Sequence, residues 1–258
     1  LKKNDKNEGI LGSIKLANEL KKYNFDKVFI FNSSLRFYLI TKLAGIKNIY
    51  QYPRLGKKNQ HIIQTAQNFI EKELNLKVLS NPKIFINLDD INYAKSKYKI
   101  LDGQINILLG IGGSGDTKRV PSNIFLNFMK LCSENYDCKF FLATGKKDDE
   151  QKLLNEILKS EFKDKCLSLD QLNLIDTLPI IKNCKISICN DSSFSHLSAA
   201  LGIETIVLMA DTPLIYGSYS PKMYPILPEG EKSVTHDTLG KNKIKPEKIF
   251  KEFQKILF

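Results

Sequence analysis

Three short stretches carry the residue types from which a site could be built: GIGGSGDTKRVP at 110–121, TGKKDDEQ at 144–151 and NDSSFSHLSAALG at 190–202. In the third, Asp191 stands at the end of an apolar run, and Ser192 and Ser193 lead into a helical pattern that closes at Gly202. The free N–H groups and partial positive charge of such a helix start suit an anion, while Asp191 can accept hydrogen bonds from sugar hydroxyls. His196 lies one turn further on, close enough to Ser192 to share a face, although a His in this place is also a common structural residue. Hydrolysis is a poor fit. No acid orients the Ser–His pair, and the nucleophile elbow fails because Gly112-Gly113-Ser114-Gly115 is followed by Asp116 rather than completing G-x-S-x-G.

In the first stretch Gly110, Gly112 and Gly115 spell G-x-G-x-x-G, the pattern of a dinucleotide loop. Its context differs, because Pro121 and Ser122 place the next helix start well beyond the glycines, and no acidic residue ends the following apolar run. It is not a P-loop either, since no Lys-Ser or Lys-Thr pair follows the last Gly. What remains is a flexible loop rich in N–H donors, with Lys118 and Arg119 at its edge, which suits a diphosphate as well as a solvated surface turn. In the second stretch Asp148, Asp149 and Glu150 open a helix, an ordinary match to its dipole. At the end of a strand, a carboxylate there is also placed to accept from a ribose diol.

These loops need elements to position them. Apolar runs at 105–109, 139–143, 166–169, 185–189 and 204–209 alternate with helical patterns, which predicts a parallel sheet covered on both faces, a doubly wound α/β domain. Ligands bind such sheets beyond the carboxyl ends of the strands, where all three loops fall. Earlier in the chain, DKVFIF and KNIYQY read as strands around a helix closed by Gly45. HIIQTAQNFIEKELNL reads as an amphipathic helix with Ile62, Ile63, Ala66, Phe69, Ile70 and Leu74 on or near one face. Residues 80–104 read as a connector, and Pro246 opens a final helix with Ile249, Phe250, Phe253 and Ile256 at helical spacing. The domain boundary is expected after residue 98, giving units 1–98 and 99–258.

A chain of 258 residues, 42% of them hydrophobic, can bury a sizeable core. Its net charge of +11 is spread along the whole length, and its aromatic residues sit inside apolar runs, so no nucleic-acid partner is expected. The five cysteines show no metal spacing and read as reduced, buried thiols. No apolar run is long enough to span a membrane, and the start lacks the core of a signal peptide, so a cytoplasmic location is expected.

Together, GGSGDTKRVP, ATGKKDDE, NDSSFSHLSAALG and MADTP resemble, in order and spacing, glycosyltransferase family 9, the ADP-heptose:lipopolysaccharide heptosyltransferase family. The similarity is good over residues 105–227 and loose before them, and D-S-S-x-S-H-L-x-A-A-L-G is its most specific block. The resemblance implies a GT-B fold, two Rossmann-like α/β domains facing across a cleft, with the N-terminal one incomplete here and the donor nucleotide held by the C-terminal one. It implies donor contacts at Ser114, Lys118, Asp149, Leu172, Asp191, Ser192, Ser193, Phe194, His196 and Thr212. Lys118 would act catalytically by offsetting charge on the departing diphosphate, Asp149 would meet the ribose, and Leu172 would pack on the base. No metal and no cofactor are implied. The partners would be a nucleotide-sugar donor such as ADP-heptose and a lipid-linked glycan acceptor, reached by peripheral contact with the inner face of the inner membrane.

Where the family has Gly, Trp and Gly, this chain has Ser193, Val120 and Ala210. A Cβ at Ser193 is expected to be costly if the backbone there takes positive φ. The strand and Gly-Asp loop that open family members, with the proposed general base, find no match. The chain as given, starting at Leu1, is therefore expected to bind donor but to transfer poorly. Two other readings remain: a non-catalytic nucleotide-sugar-binding protein, and an NAD-dependent oxidoreductase using the glycine loop.

Overall fold

The computed structural model describes residues 9–53, 62–78 and 81–258. The chain divides into two compact units, 1–78 and 79–258.

The smaller unit holds α1 (Gly9–Lys21), β1 (Lys27–Ile30), α2 (Leu35–Leu43), β2 (Asn48–Gln51) and α3 (Ile62–Leu74). The two strands pair in parallel, Lys27 opposite Asn48 and Ile30 opposite Gln51, with α2 as the crossover. Gly45, at φ +80°, takes the left-handed turn that ends α2. Ala17, Ile40, Ala44 and Ile46 form its small core. Phe69 of α3 is buried and meets the rings of Phe29, Phe31 and Tyr52 edge-on. Such pairs contribute roughly 0.5–1.5 kcal/mol each beyond their area. Of the helix expected from His61 onward, His61 itself and the Ile62 side chain lie outside the described residues.

The larger unit begins earlier than the sequence pattern suggests. Residues 88–97, expected within a connector, form α4 (Leu88–Lys97), with Asp89 and Asp90 in its first turn and Lys95 and Lys97 in its last. Its Ala94 is the one fully buried residue of the helix and packs in the cluster that contains Ile180 and Ile181. Ile84 N–H donates to Ala200 O, and Asn183 Nδ2 donates to Ile91 O. These contacts tie 81–98 to the larger unit and place the division at 78/79 rather than 98/99. An element with so little buried apolar surface leaves a weak periodic signal.

Then follow β3 (Ile105–Gly110), α5 (Ser122–Asn135), β4 (Cys138–Ala143), α6 (Asp148–Leu158), β5 (Cys166–Ser168), α7 (Leu174–Lys182), β6 (Ile186–Asn190), α8 (Ser193–Ala200), β7 (Glu204–Leu208), α9 (Leu214–Gly217), β8 (Met223–Ile226) and α10 (Pro246–Leu257). All six strands are parallel, in the order β5-β4-β3-β6-β7-β8. β8 contains Pro225 and lies at the edge, where its missing donor is tolerated. Alternation along the strands sends Ile107, Leu109, Phe140, Leu142, Ile186 and Ile188 to one face, against α5, α6 and α10. Leu108, Phe141 and Cys189 go to the other, against α4 and α7. Both faces are therefore covered, and the order reverses between β3 and β6, the switch point beside which doubly wound sheets hold ligands.

Four of the five cysteines are buried, Cys166 is half-buried, and all are free thiols. Burial pushes the Cys166 and Cys189 thiols up to about 12, so neither is a thiolate near neutral pH.

Candidate functional site

The loops leaving β3 and β6 meet at the switch point because Asn190, the last residue of β6, is fully buried and bonds across it. Its Nδ2 donates to Ile111 O (2.8 Å) and Gly112 O (3.3 Å), and its Oδ1 accepts from Val120 N–H (3.2 Å). One side chain thus holds both ends of the glycine loop. The loop is clasped a second time around Gly113. The buried Glu150 carboxylate accepts from Gly113 N–H (2.9 Å) and Gly145 N–H (3.3 Å), while the buried Arg119 donates to Gly113 O (2.8 Å). Arg119 also pairs with Asp149 and, at 3.6 Å, with Asp116. A Cβ on Gly112 or Gly145 would lie within 3 Å of the Glu150 carboxylate, which would have to shift out of the clasp.

Two expectations change as a result. The glycine loop reads as rich in N–H donors for a diphosphate, but those of Ile111 and Gly112 go to Ala143 O and that of Gly113 to Glu150. Arg119 was expected beside Lys118 as a second cation for a diphosphate, but it is turned inward into the clasp. Lys118 remains. Its Nζ lies 3.2 Å from Asp191 Oδ2, at the end of the 3₁₀ turn Asp116–Lys118, and Lys241 anchors that turn by donating to both the carbonyl and the carboxylate of Asp116.

On the other side of the switch point, Ser192 caps α8 with extended backbone, and Ser193 is its first helical residue, exposed to solvent. Ser193 is not in the left-handed region, so the strain expected of a Cβ there does not arise. Gly202, at φ +79°, closes the helix, with its N–H bonded to Ala199 O and that of Ile203 to Ser198 O. Asp191 is buried. His196 is half-buried with Nδ1 3.1 Å from Tyr219 Oη, and burial holds its imidazole below the usual histidine range; Asp191 opposes that shift and Lys118 reinforces it. Phe194 packs on the α7-side core.

The remaining residues follow the strand order. Asp149 opens α6 beyond β4, half-exposed and paired with Arg119. Leu172, half-buried, follows β5. Ser114 is exposed at the loop tip, and Thr212 is buried beyond β7. Thr144, Ser192 and Thr212, at the carboxyl ends of β4, β6 and β7, keep buried hydroxyls without a partner among the described residues. Lys118 and Asp191 are in direct contact; Asp149 and Leu172 lie one and two strands away from β3 on its far side. Asn190, Glu150, Arg119 and Tyr219 were not picked out as positioning groups. Arg119 and Glu150 stood out only as charged residues at a loop edge and a helix start, and Asn190 as an amide at the end of the apolar run KISIC.

Residues 13–245 match the model of glycosyltransferase family 9 (heptosyltransferase). The chain belongs to glycosyltransferase family 9. It is an enzyme of the glycosyltransferase class. Lipopolysaccharide heptosyltransferase 1 of Campylobacter coli is 21% identical over 92% of this chain and 76% of its own length. Lipooligosaccharide heptosyltransferase 2 of Campylobacter jejuni subsp. jejuni serotype O:2 is 28% identical over 78% of this chain, which spans 61% of that relative. The structure of E. coli ADP-heptose LPS heptosyltransferase II superimposes with a TM-score of 0.74 at 20% identity, covering 95% of this chain and 80% of the other. The family 9 glycosyltransferase from Veillonella parvula DSM 2008 gives the same TM-score and identity over 97% and 80%. The fold is the GT-B type of these family 9 proteins.

Proposed function

We propose that this family 9 chain binds a nucleotide-diphosphate sugar along the carboxyl edge of its larger sheet and transfers the sugar, a heptose, to a lipopolysaccharide or related lipid-linked glycan. The observation that carries this reading is the order of side chains along that edge. Leu172 follows β5, Asp149 follows β4, Lys118 follows β3, Asp191 through His196 follow β6, and Thr212 follows β7, on five adjacent strands. At about 4.8 Å per strand the row is about 19 Å long. It offers, in sequence, an apolar surface for a base, a carboxylate for a ribose, a cation with a helix start for a diphosphate, and a buried hydroxyl at the sugar end.

Lys118 and the N-terminus of α8 supply the positive charge a departing diphosphate needs, so the transfer is proposed to proceed without a metal and without a cofactor. The attack is proposed to invert the anomeric centre, with a carboxylate deprotonating the acceptor hydroxyl. Among the described residues no helix is long and apolar enough to cross a membrane. The net charge of +11 supports peripheral contact with the anionic cytoplasmic leaflet, where a lipid-linked acceptor would lie.

Calorimetric titration with ADP, UDP, GDP and NAD tests the donor site. Binding of a nucleoside diphosphate that loses roughly 1–3 kcal/mol in Asp191→Ala or Lys118→Ala supports it. Preferential binding of NAD that is indifferent to Lys118→Ala would overturn it in favour of an oxidoreductase.

A further inference from the structure

His196 meets Tyr219 in two ways. Its ring lies nearly parallel to that of Tyr219, with centroids 5.6 Å apart and planes at 13°, and Nδ1 is 3.1 Å from the Tyr219 hydroxyl. The segment that brings Tyr219 there passes Gly217, where a Cβ would fall 2.5 Å from Met209 Sδ and 3.7 Å from Asp191 Oδ1. Gly217 thus lets the turn after α9 lie close against the site. Tyr219 itself packs on the cluster of Ala199, Val207 and Met209, which fixes its ring.

A histidine between a phenol and an anion site has two neutral forms, and they are not equivalent. If Nδ1 carried the proton, Nε2 would present a lone pair to an anion, and the phenol proton would need an acceptor of its own. Among the described residues the Tyr219 hydroxyl has no hydrogen-bond partner besides His196. If the phenol donates to Nδ1, the stronger donor meets the stronger acceptor, and Nε2 carries the proton. Burial disfavours the doubly protonated ring, and it also raises the Tyr219 hydroxyl above its ordinary value, which favours a phenol that keeps its proton to donate.

We infer that Tyr219 is a positioning residue of the donor site: its hydroxyl donates to Nδ1 of His196 and fixes the Nε2–H tautomer, which makes His196 a neutral donor to the bound diphosphate beside Lys118. The inference rests on the donor-site reading for its purpose, but the tautomer is a property of the ligand-free chain.

Long-range proton–nitrogen correlation spectra of the ¹⁵N-labelled chain read the tautomer directly, with His196→Gln assigning its signals among the three histidines. The expected result is an unprotonated Nδ1 and a protonated Nε2, collapsing toward averaged shifts in Tyr219→Phe, which keeps the ring contact. ADP affinity is expected to fall about fivefold in Tyr219→Phe, and this loss should vanish in the His196→Gln background. A protonated Nδ1, a tautomer unchanged in Tyr219→Phe, or an affinity loss that persists without His196 would each overturn the assignment. If the unaltered chain binds no ADP, the donor-site reading fails, while the spectra alone decide whether Tyr219 sets the tautomer.

Discussion

Replacing Asn190 by Asp changes one nitrogen to oxygen in a fully buried side chain that joins both ends of the glycine loop. The contact with Val120 N–H survives, since an oxygen still accepts it. The other oxygen, however, now faces the carbonyls of Ile111 and Gly112, which the amide met at 2.8 and 3.3 Å. Two buried carbonyls lose their donor, at about 1–3 kcal/mol each, and an ionised carboxylate there would add the cost of burying a charge against two dipoles. Protonation relieves both, because the acid form regains one donor. The new carboxyl therefore has a folded-state pKa raised above its unfolded value near 3.9. In the window between those two values the native state binds more protons than the unfolded chain, so stability falls as pH rises, by about 1.4 kcal/mol per unit. Urea denaturation followed by circular dichroism at pH 5 and pH 8, with the unaltered chain as reference, should show a loss of about 1–2 kcal/mol at the lower pH. At the higher pH it should reach about 3–5 kcal/mol. A variant that loses less than about 1 kcal/mol, equally at both values, would refute the claim that Asn190 donates to the loop.

Gly145→Ala places a Cβ 2.3 Å from Glu150 Oε2, so the carboxylate must leave Gly113 N–H; we expect a loss of about 2–3 kcal/mol and faster hydrogen exchange at the Gly113 amide. Glu150→Ala in that background should add little, because the bond is already gone. Arg119→Met keeps much of the side chain's length but leaves Gly113 O and Asp149 unpaired. Because Asp149 is half-exposed and water can replace its partner, the loss in urea denaturation should be only about 1–2 kcal/mol. His196 has a depressed folded-state pKa, so its contribution is intact above the unfolded value near 6.5 and is lost as pH falls from there through the folded value. His196→Gln should flatten the stability curve between about pH 7 and pH 5, and an unchanged slope would count against a neutral buried imidazole.

The strand–helix alternation, the parallel sheet and the three loops at its carboxyl edge were legible in the sequence, because strands buried on both faces leave continuous apolar runs and helix ends leave Gly, Ser and Asp. The block from Asp191 to Gly202 reads correctly as strand end, cap and closed helix for that local reason. α4 and β8 were not legible: one buries a single residue and the other is an edge strand with Pro225, so neither carries a full periodic signal. Which charges face a ligand was decided only by the tertiary structure. Lys118 and Arg119 are neighbours in sequence, yet one meets Asp191 across the switch point and the other is buried against Gly113 and Asp149. Glu150 and Asp149 divide in the same way, one inward and one half-exposed. Adjacent residues at a turn differ in direction by the path of the backbone. That path is set by Asn190, brought to Ile111 and Val120 from 79 and 70 residues away by strand order. Spacing along the chain records residue types and local periodicity, but strand order, and with it the partner of each buried polar group, exists only once the sheet has formed.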